Sequence, residues 1–463
     1  MSLLIVILAL VLLMYVAYKG FSVILFAPIC ALLAVLLTDP SLILPMYNGI
    51  FLEKMVGFIK SYFPVFLLGA VFGKVIELSG FSQSIVSSVI KLLGRERSML
   101  SIVLVCALLT YGGVSLFVVV FAVYPFAAEM FRQGNIPKRL IPGTIALGAF
   151  SFTMDSMPGT PQIQNIIPTT FFNTNTWAAP WLGIIGSLFI LIVGLAYLSW
   201  RRRTAAAKGE GYGTELRNEP EPYSGGALPN PWIAILPLVV VGVGNKVLTT
   251  LIPRLYGPEH TVALQGMAHP VTTQISSVAA VWAVVCALIL GILTVIVFAF
   301  KPVMENFVEG SKTAISGALL SVTNTASEYG FGGIIAALPG FLIVSDVLKK
   351  IPGVLFNEAV SVNALAGITG SASGGLSIAL ATMSDTFIAA ANAANIPLEV
   401  LHRIASMASG GMDTLPHNGA VITLLAVTGL THKQAYGDIF AVTVLKFIAV
   451  FVAIAVYTFT GIY

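Results

Sequence analysis

The chain has 463 residues, of which 57% are hydrophobic and only 10% charged, and its formal net charge is +4. Soluble domains carry about 25% charged residues, so these few charges could not cover a water-exposed surface of this size, whereas a bilayer solvates apolar side chains. No basic patch accompanies the small net charge, which argues against a nucleic-acid partner. The cysteines Cys30, Cys106 and Cys286 lie far apart in apolar segments without metal-ligand spacing, as buried small hydrophobes do.

In chain order, the long apolar runs are 2–18, 21–38, 181–200, 231–251, 276–300 and 437–458. Each is about 17–25 residues long, and a 30 Å hydrocarbon core needs about 20 residues of helix. Barrel strands would be about 10 residues long and alternate apolar with polar. The expected fold class is therefore an all-α polytopic membrane protein, with roughly 11–14 crossings or half-crossings. The first run lacks a basic leader and a small-residue cleavage site, and is expected to be a retained helix.

One stretch is polar throughout, 201–230, with Arg201, Arg202, Arg203, Lys208, Glu210, Glu215, Glu219 and Glu221 among Gly and Pro. That is linker composition, and three arginines directly after Trp200 place it in the cytoplasm. It separates an expected first transmembrane repeat, 1–200, from a second, 231–463.

The two halves resemble each other. EKMVGFIK at 53–60 matches ENFVEGSK at 305–312, and ELSGF at 77–81 matches EYGF at 328–331. GGVSL at 112–116 matches GGLSI at 374–378, NIP at 135–137 recurs at 395–397, and MDSMP at 154–158 matches MDTLP at 412–416. The matches keep their order at separations of roughly 250–260 residues, which indicates an internal duplication of the kind that builds secondary transporters. After the matched segments 91–94 and 349–353, one half continues Arg95-Glu96-Arg97 and the other ends its loop on Glu358. Equivalent loops of opposite charge favour inverted repeats.

Polar breaks inside apolar segments mark where non-helical backbone lines a wet cavity. The first pair of breaks contains Gly112, Gly113 and Ser115 in one half, and Ser371, Ser373, Gly374, Gly375 and Ser377 in the other. Exposed amides at a half-helix start suit a carboxylate, although small residues also serve close helix packing. The second pair is SFTMDSMPGTPQIQ at 151–164 and SGGMDTLPHN at 409–418. It supplies Asp155, Ser156, Thr160 and Gln162, then Asp413, Thr414, His417 and Asn418. An acid within a membrane segment is expensive and is read as functional by default, and a histidine titrates near neutral pH. A further cluster, SVTNTASEYG at 321–330, brings Asn324, Thr325 and Glu328 between apolar stretches. The expected proton-coupling groups are Asp155, Asp413, His417 and Glu328, and Asp155 and His417 are expected to bind substrate too, together with the remaining residues of the clusters. His260 and His269 are read as loop residues, and His402 and His432 as flanking loops. No P-loop, HExxH, GxSxG or CxxC occurs, so neither ATP-driven transport nor a familiar hydrolase is expected, and no metal or cofactor.

Across these clusters, and over essentially its whole length, the chain resembles the gluconate permease family within the ion transporter superfamily. The telling stretches are YGGVSLFVVVFAVYP at 111–125 and IPKRLIPGTIALGAFSFTMDSMPGTPQIQNIIPTTFF at 136–172. It looks closest to permeases for 3-hydroxybutyrate and similar short hydroxy acids. The gluconate branch carries a serine–histidine–asparagine–aspartate pattern near its second break, where this chain has Asp413-Thr414-Leu415-Pro416-His417-Asn418. The resemblance implies uptake of a small organic anion across a bacterial inner membrane by proton symport, two inverted repeats with re-entrant hairpins, a homodimer and an elevator-like movement. Sodium coupling, an anion channel and an intramembrane enzyme are the alternatives. Paired breaks favour alternating access over a channel, and no catalytic dyad is evident for an enzyme.

Overall fold

The long apolar runs become helices. A computed structural model describes the chain except for residues 1, 20, 95–96, 115, 214–216, 221–227, 268, 344–350, 370 and 417. Ser115, His417 and the charged pair 95–96 thus lie outside the described residues. The first half contains α1 (Ser2–Tyr18), α2 (Val23–Thr38), α3 (Glu53–Leu78), α4 (Phe81–Leu93), α5 (Ser98–Tyr111), α6 (Leu116–Gln133), α7 (Ile141–Ala149), α8 (Ile163–Phe172) and α9 (Pro180–Ala207). The second contains α10 (Pro231–Tyr256), α11 (Ile275–Phe298), α12 (Phe300–Ala337), α13 (Val354–Thr369), α14 (Ala372–Ala393), α15 (Leu398–Gly411), α16 (Gly419–Thr428) and α17 (His432–Thr460). Among the described residues, 6 helical segments are long and apolar enough to cross a membrane. Leu4, Leu25, Ile192, Val297 and Phe459 are exposed on the outer surface, which is stable only against lipid. The protein is an all-α polytopic membrane protein.

The matched sequence segments fall on matched elements. Both Asn-Ile-Pro turns hold their asparagine in the left-handed region, with φ 46° at Asn135 and 52° at Asn395, a conformation that asparagine tolerates better than most residues. The ten-residue helices α8 and α16 are about 15 Å long, half of a hydrocarbon core. Each follows a Met-Asp segment, so each ends a broken crossing.

Matched helices also pack on each other. A Cβ at Gly310, near the start of α12, would meet Leu78 at the end of α3 at 2.8 Å. One at Gly333, near the end of α12, would meet Lys54 at the start of α3 at 2.8 Å. The two helices therefore run antiparallel. So do α9 and α17: Arg201 Nε at the end of one donates to Asp438 Oδ1 at the start of the other at 2.6 Å. At the opposite end Trp181 shares a surface recess with Tyr463. The halves exchange elements as well. Helix α8 packs on α14 and α15 of the second half, and α16 packs on α6 and α7 of the first; α2 packs on α12, and α11 on α3.

Several details depart from the sequence reading. The cluster 321–330 does not break a helix, because α12 runs unbroken through it. Gly374 and Gly375 lie inside α14, which begins at Ala372, so the second break falls before them. They serve close packing instead: a Cβ on Gly375 would sit 2.2 Å from the backbone of Ala366. The first break is where the pattern placed it, with Gly113 at φ +94°, a conformation suited to glycine.

The three arginines 201–203 are the last turns of α9, not linker. The linker is no loose tether. Tyr212 is buried, Lys138 Nζ lies 2.6 Å from Glu219 Oε1, and Arg139 pairs with Glu210 at 2.5 Å. Asn218 Nδ2 donates to Ala426 O on α16 at 2.7 Å. Beyond the helices, residues Glu259–Val262 and Val271–Gln274 form an antiparallel two-stranded hairpin, β1 and β2, which carries His260 and which the proline-rich sequence did not announce. Cys30 and Cys106 are buried as expected, but Cys286 is exposed, on the outer face of α11.

Candidate functional site

The breaks converge on a cavity of about 1040 Å³. Gly113 and Gln162 reach it from the first half. Ser321, Asn324, Thr325 and Glu328 reach it from α12, Ser371 and Ser373 from the start of α14, and Asp413, Thr414 and Asn418 from the second Met-Asp segment. Local chemistry shapes each wall. Ser371 caps α14 by accepting from Gly374 N at 3.1 Å. Asn418 caps α16 by accepting from Ala420 N at 2.7 Å and Val421 N at 3.1 Å. Gln162 donates to Thr110 O at 2.8 Å, tying the first Met-Asp segment to the first break. The lining also includes Lys74, paired with Glu77 at 2.8 Å.

Other expected site residues stand behind the wall. Asp155, Ser156, Thr160, Gly374, Gly375 and Ser377 are buried or packed away from the cavity. Gly112 lets α10 approach, since its Cβ would meet Leu238 at 2.3 Å. Thr160 donates to Thr153 O at 2.8 Å and Ser377 to Ser373 O at 2.7 Å, so both hydroxyls are engaged by backbone instead of facing a ligand.

The two Met-Asp segments meet on a residue that the sequence reading passed over. Lys446, from the middle of α17 and 1% exposed, places Nζ 2.7 Å from Asp413 Oδ1 and 3.7 Å from Asp155 Oδ2. It also donates to Phe150 O at 2.7 Å. Asp155 accepts in addition from Ser156 Oγ at 2.7 Å, and the Thr414 and Thr443 hydroxyls bond to each other beside the lysine. A Cβ at Gly410 would fall 1.8 Å from Asp155 Oδ2, so the backbone of α15 closes over the pair. Two carboxylates from the matched sequence segments share one ammonium. The available signal was a lone lysine in the apolar run 439–460 that makes up the rest of the helix beyond Asp438.

A second hub was also missed. Arg403 on α15 is fully buried and its bonds go to neutral oxygens: Ala178 O at 2.7 Å and 3.1 Å, Ser156 O at 3.1 Å, Asn165 Oδ1 at 3.0 Å and Thr176 O at 3.4 Å. Its neighbour His402, near the start of α15 and so beside a loop as read, is fully buried, with Nδ1 2.6 Å from Thr174 Oγ1 and Nε2 3.2 Å from Asn165 Oδ1. Together they lash the loops around α8 to the second half.

Glu328 lies on the cavity wall above the start of α14. A Cβ at Gly374 would sit 1.7 Å from its Oε2, an oxygen that is buried without a hydrogen-bond partner. Around it stand Ser371, Ser373 and Thr325, with Thr325 Oγ1 3.3 Å from Ser373 Oγ. Groups of three or more His, Cys, Asp or Glu side chains placed to hold a metal ion are absent among the described residues.

No family model matches the chain. One solved structure aligns over 88% of both chains at 14% identity with a TM-score of 0.48, described as "Crystal structure of the Alcanivorax borkumensis YdaH transporter reveals an unusual topology". The "Uncharacterized transporter YxjC" of Bacillus subtilis (strain 168) is 57% identical over 471 residues, covering 100% of both chains. Likeness of that degree over the full length shows kinship, and the chain belongs to the same family of membrane transporters as YxjC.

Proposed function

We propose that the protein is a proton-coupled symporter that brings a small organic anion, a short hydroxy monocarboxylate such as 3-hydroxybutyrate or a related sugar acid, across a bacterial inner membrane. The observation that carries this reading is the cavity itself. Helix breaks from both halves and both Met-Asp segments open onto it, the first through Gln162 and the second through Asp413, and its polar wall combines hydroxyls, amides and two capped helix starts. Capped starts and amide groups suit a carboxylate, and hydroxyls suit a hydroxy acid.

The antiparallel packing of matched helices supports two inverted repeats, 1–200 and 231–463, joined by a cytoplasmic linker. With the resemblance to gluconate permeases, it also supports an alternating-access, elevator-like cycle in a homodimer. A monocarboxylate entering a negative-inside cell opposes the membrane potential by about 2.3 kcal/mol per charge per 100 mV. One co-transported proton cancels that charge. Asp155, Asp413 and Glu328 are the described groups that can carry it; His417, the fourth candidate, lies outside the described residues.

Sodium coupling is the second reading. It is favoured by the partnerless carboxylate oxygen of Glu328 among the hydroxyls of Ser371, Ser373 and Thr325. The deciding experiment is uptake of labelled 3-hydroxybutyrate, lactate and gluconate into proteoliposomes, under a proton gradient or a sodium gradient alone. Accumulation that follows the proton gradient supports symport with protons. Accumulation that follows only sodium overturns it.

A further inference from the structure

Around the two Met-Asp segments four charged side chains are buried together: Asp155, Asp413, Lys446 and Arg403. With both carboxylates ionised their charges cancel. Arg403 directs its hydrogen bonds to neutral oxygens of the loops around α8, so its place does not depend on either aspartate. Lys446 is different. Its nearest carboxylate is Asp413 at 2.7 Å, with Asp155 a looser partner at 3.7 Å.

The cavity wall next to Lys446 consists of Asp413 and Phe150, the two residues to which the ammonium is bonded. The lysine lies one residue behind the surface that a ligand touches. Among the described groups on the cavity, Asp413 combines a carboxylate with a bonded buried cation from another element, whereas Glu77 is paired within its own helix to Lys74, and Glu328 Oε2 has no hydrogen-bond partner.

We propose that Lys446 makes anion binding conditional on proton binding, with Asp413 as the group that it exchanges for the substrate's carboxylate. The proposal rests on the symport reading above. While Asp413 is ionised, the wall presents a negative charge to an incoming anion and the ammonium is neutralised. When Asp413 takes a proton, the ammonium keeps only Asp155 at 3.7 Å, and the four buried groups together carry one unbalanced positive charge. Such a buried charge is expensive, and an anion entering the cavity restores neutrality. Proton and anion then stabilise each other's binding, and such linkage is reciprocal. One lysine behind one wall carboxylate couples one proton to one anion.

The other charged groups on elements packed against α17 are Arg201, Arg202 and Arg203 on α9, Glu358 on α13, Glu399, His402 and Arg403 on α15, and Lys138 and Arg139 before α7. Arg201 and Arg139 bind Asp438, eight residues before Lys446 and so roughly 12 Å along the helix. Glu399 stands at the far start of α15, and Lys138 pairs with Glu219. Arg202, Arg203, His402 and Arg403 offer Lys446 no carboxylate, and the Glu358 carboxylate has no hydrogen-bond partner, so Asp155 is the one other carboxylate paired with Lys446 among the described residues.

The test compares wild type, Lys446→Met, Lys446→Arg, Asp413→Asn and the Asp413→Asn/Lys446→Met double variant in proteoliposomes. The probe is labelled 3-hydroxybutyrate, with lactate and gluconate alongside. Accumulation under an imposed pH gradient is measured together with exchange at equal pH on both sides. Asp413→Asn should exchange substrate at a rate independent of pH and accumulate none on the gradient. Lys446→Met should lose exchange at limiting substrate by roughly thirtyfold or more, with Lys446→Arg recovering part of it.

The double variant removes one buried charge of each sign, so the remaining Asp155 and Arg403 still balance, and its folding is better protected than that of Lys446→Met. It should bind far more weakly than Asp413→Asn alone. Gradient-driven accumulation in Asp413→Asn overturns the proposal, as does equal exchange by the double variant and Asp413→Asn. If wild type takes up none of the three acids on either a proton or a sodium gradient, the symport reading fails and takes this proposal with it. Wild-type symport with an indifferent Lys446 overturns the proposal alone.

Discussion

Replacing Arg403 with methionine tests whether the loops around α8 are held by a single buried guanidinium. The side chain keeps its length, so little empty volume results, and the change is chiefly one of lost donors. Of its four acceptors, Asn165 Oδ1 retains His402 Nε2 at 3.2 Å, and Thr176 O retains Asn165 Nδ2 at 2.9 Å. Ser156 O and Ala178 O, which bond to the arginine at 3.1 Å and 2.7 Å, are left without their donor.

A buried acceptor stripped of its partner costs about 1–3 kcal/mol, so the loss is about 2–6 kcal/mol. At an unfolding entropy of about 2.1 cal/mol/K per residue, a 463-residue chain should melt roughly 2–6 °C lower. Arg403→Lys, with one ammonium in place of a planar fork, cannot serve both carbonyls in the same geometry and should fall between the two. The assay is thermal unfolding in detergent followed by tryptophan fluorescence, since Trp177 sits in the held loop and stacks with Lys246 Nζ at 4.5 Å from its ring centre. A methionine variant that melts with wild type and transports normally would refute the idea that this arginine secures the loop.

Four other outcomes follow from the same geometry. Gly374→Ala should depress uptake severalfold, because the new methyl meets the Glu328 carboxylate at 1.7 Å and must displace it. Ser377→Ala should leave uptake close to wild type, because its hydroxyl is bonded to Ser373 O; a marked loss of affinity would return Ser377 to the binding site. Single cysteines at Glu53 and Glu305, in a background without the three native cysteines, should react with an impermeant maleimide from opposite sides of the membrane. Labelling from one side would exclude inversion.

The linker contacts should loosen in acid. Burial pulls Glu219 upward, but hydrogen bonds from Lys138 and Arg132 outweigh it and hold its carboxyl below the usual 4.5. Arg139 likewise lowers Glu210. A depressed carboxyl contributes stability above its unfolded pKa and loses it as pH falls through the folded value. Limited proteolysis of the linker should therefore be slow at neutral pH and accelerate below about pH 4.5. Cleavage that ignores pH would show that the ion pairs do not hold it.

What could be read in the sequence was whatever depended on local composition. Span length announced α9, α10, α11 and α17, and the Gly112-Gly113 pair announced the first break. The Met-Asp repeats identified the two segments that converge on the ion cluster. Misreadings came where tertiary packing decides. Polar residues at 321–330 suggested an interruption, yet Thr325 Oγ1 bonds back to Ser321 O at 3.2 Å and the helix continues, because hydroxyls can satisfy themselves on the preceding turn. Gly374 and Gly375 suggested broken backbone, but glycine also marks the spot where another element touches a helix. Lys446 and Arg403 were silent because a single charge in an apolar run does not reveal its partner. Those partners lie 33 to 296 residues away for the lysine and 225 to 247 for the arginine.

The exchange of α8 and α16 between halves bears on how the protein is made. A ribosome releases α8 long before α14 and α15 exist to receive it, so the first half must wait in the membrane with a half-length helix and its flanking polar loops unpaired. The second half is no more self-sufficient, since α16 needs α6 and α7. Neither half, expressed by itself, has a complete interior, and insertion of the last helices is what lets the earlier ones settle. A chain truncated before Lys446 would leave both aspartates without their cation. Such a chain has every reason to remain a target for the membrane's quality-control proteases until synthesis is finished.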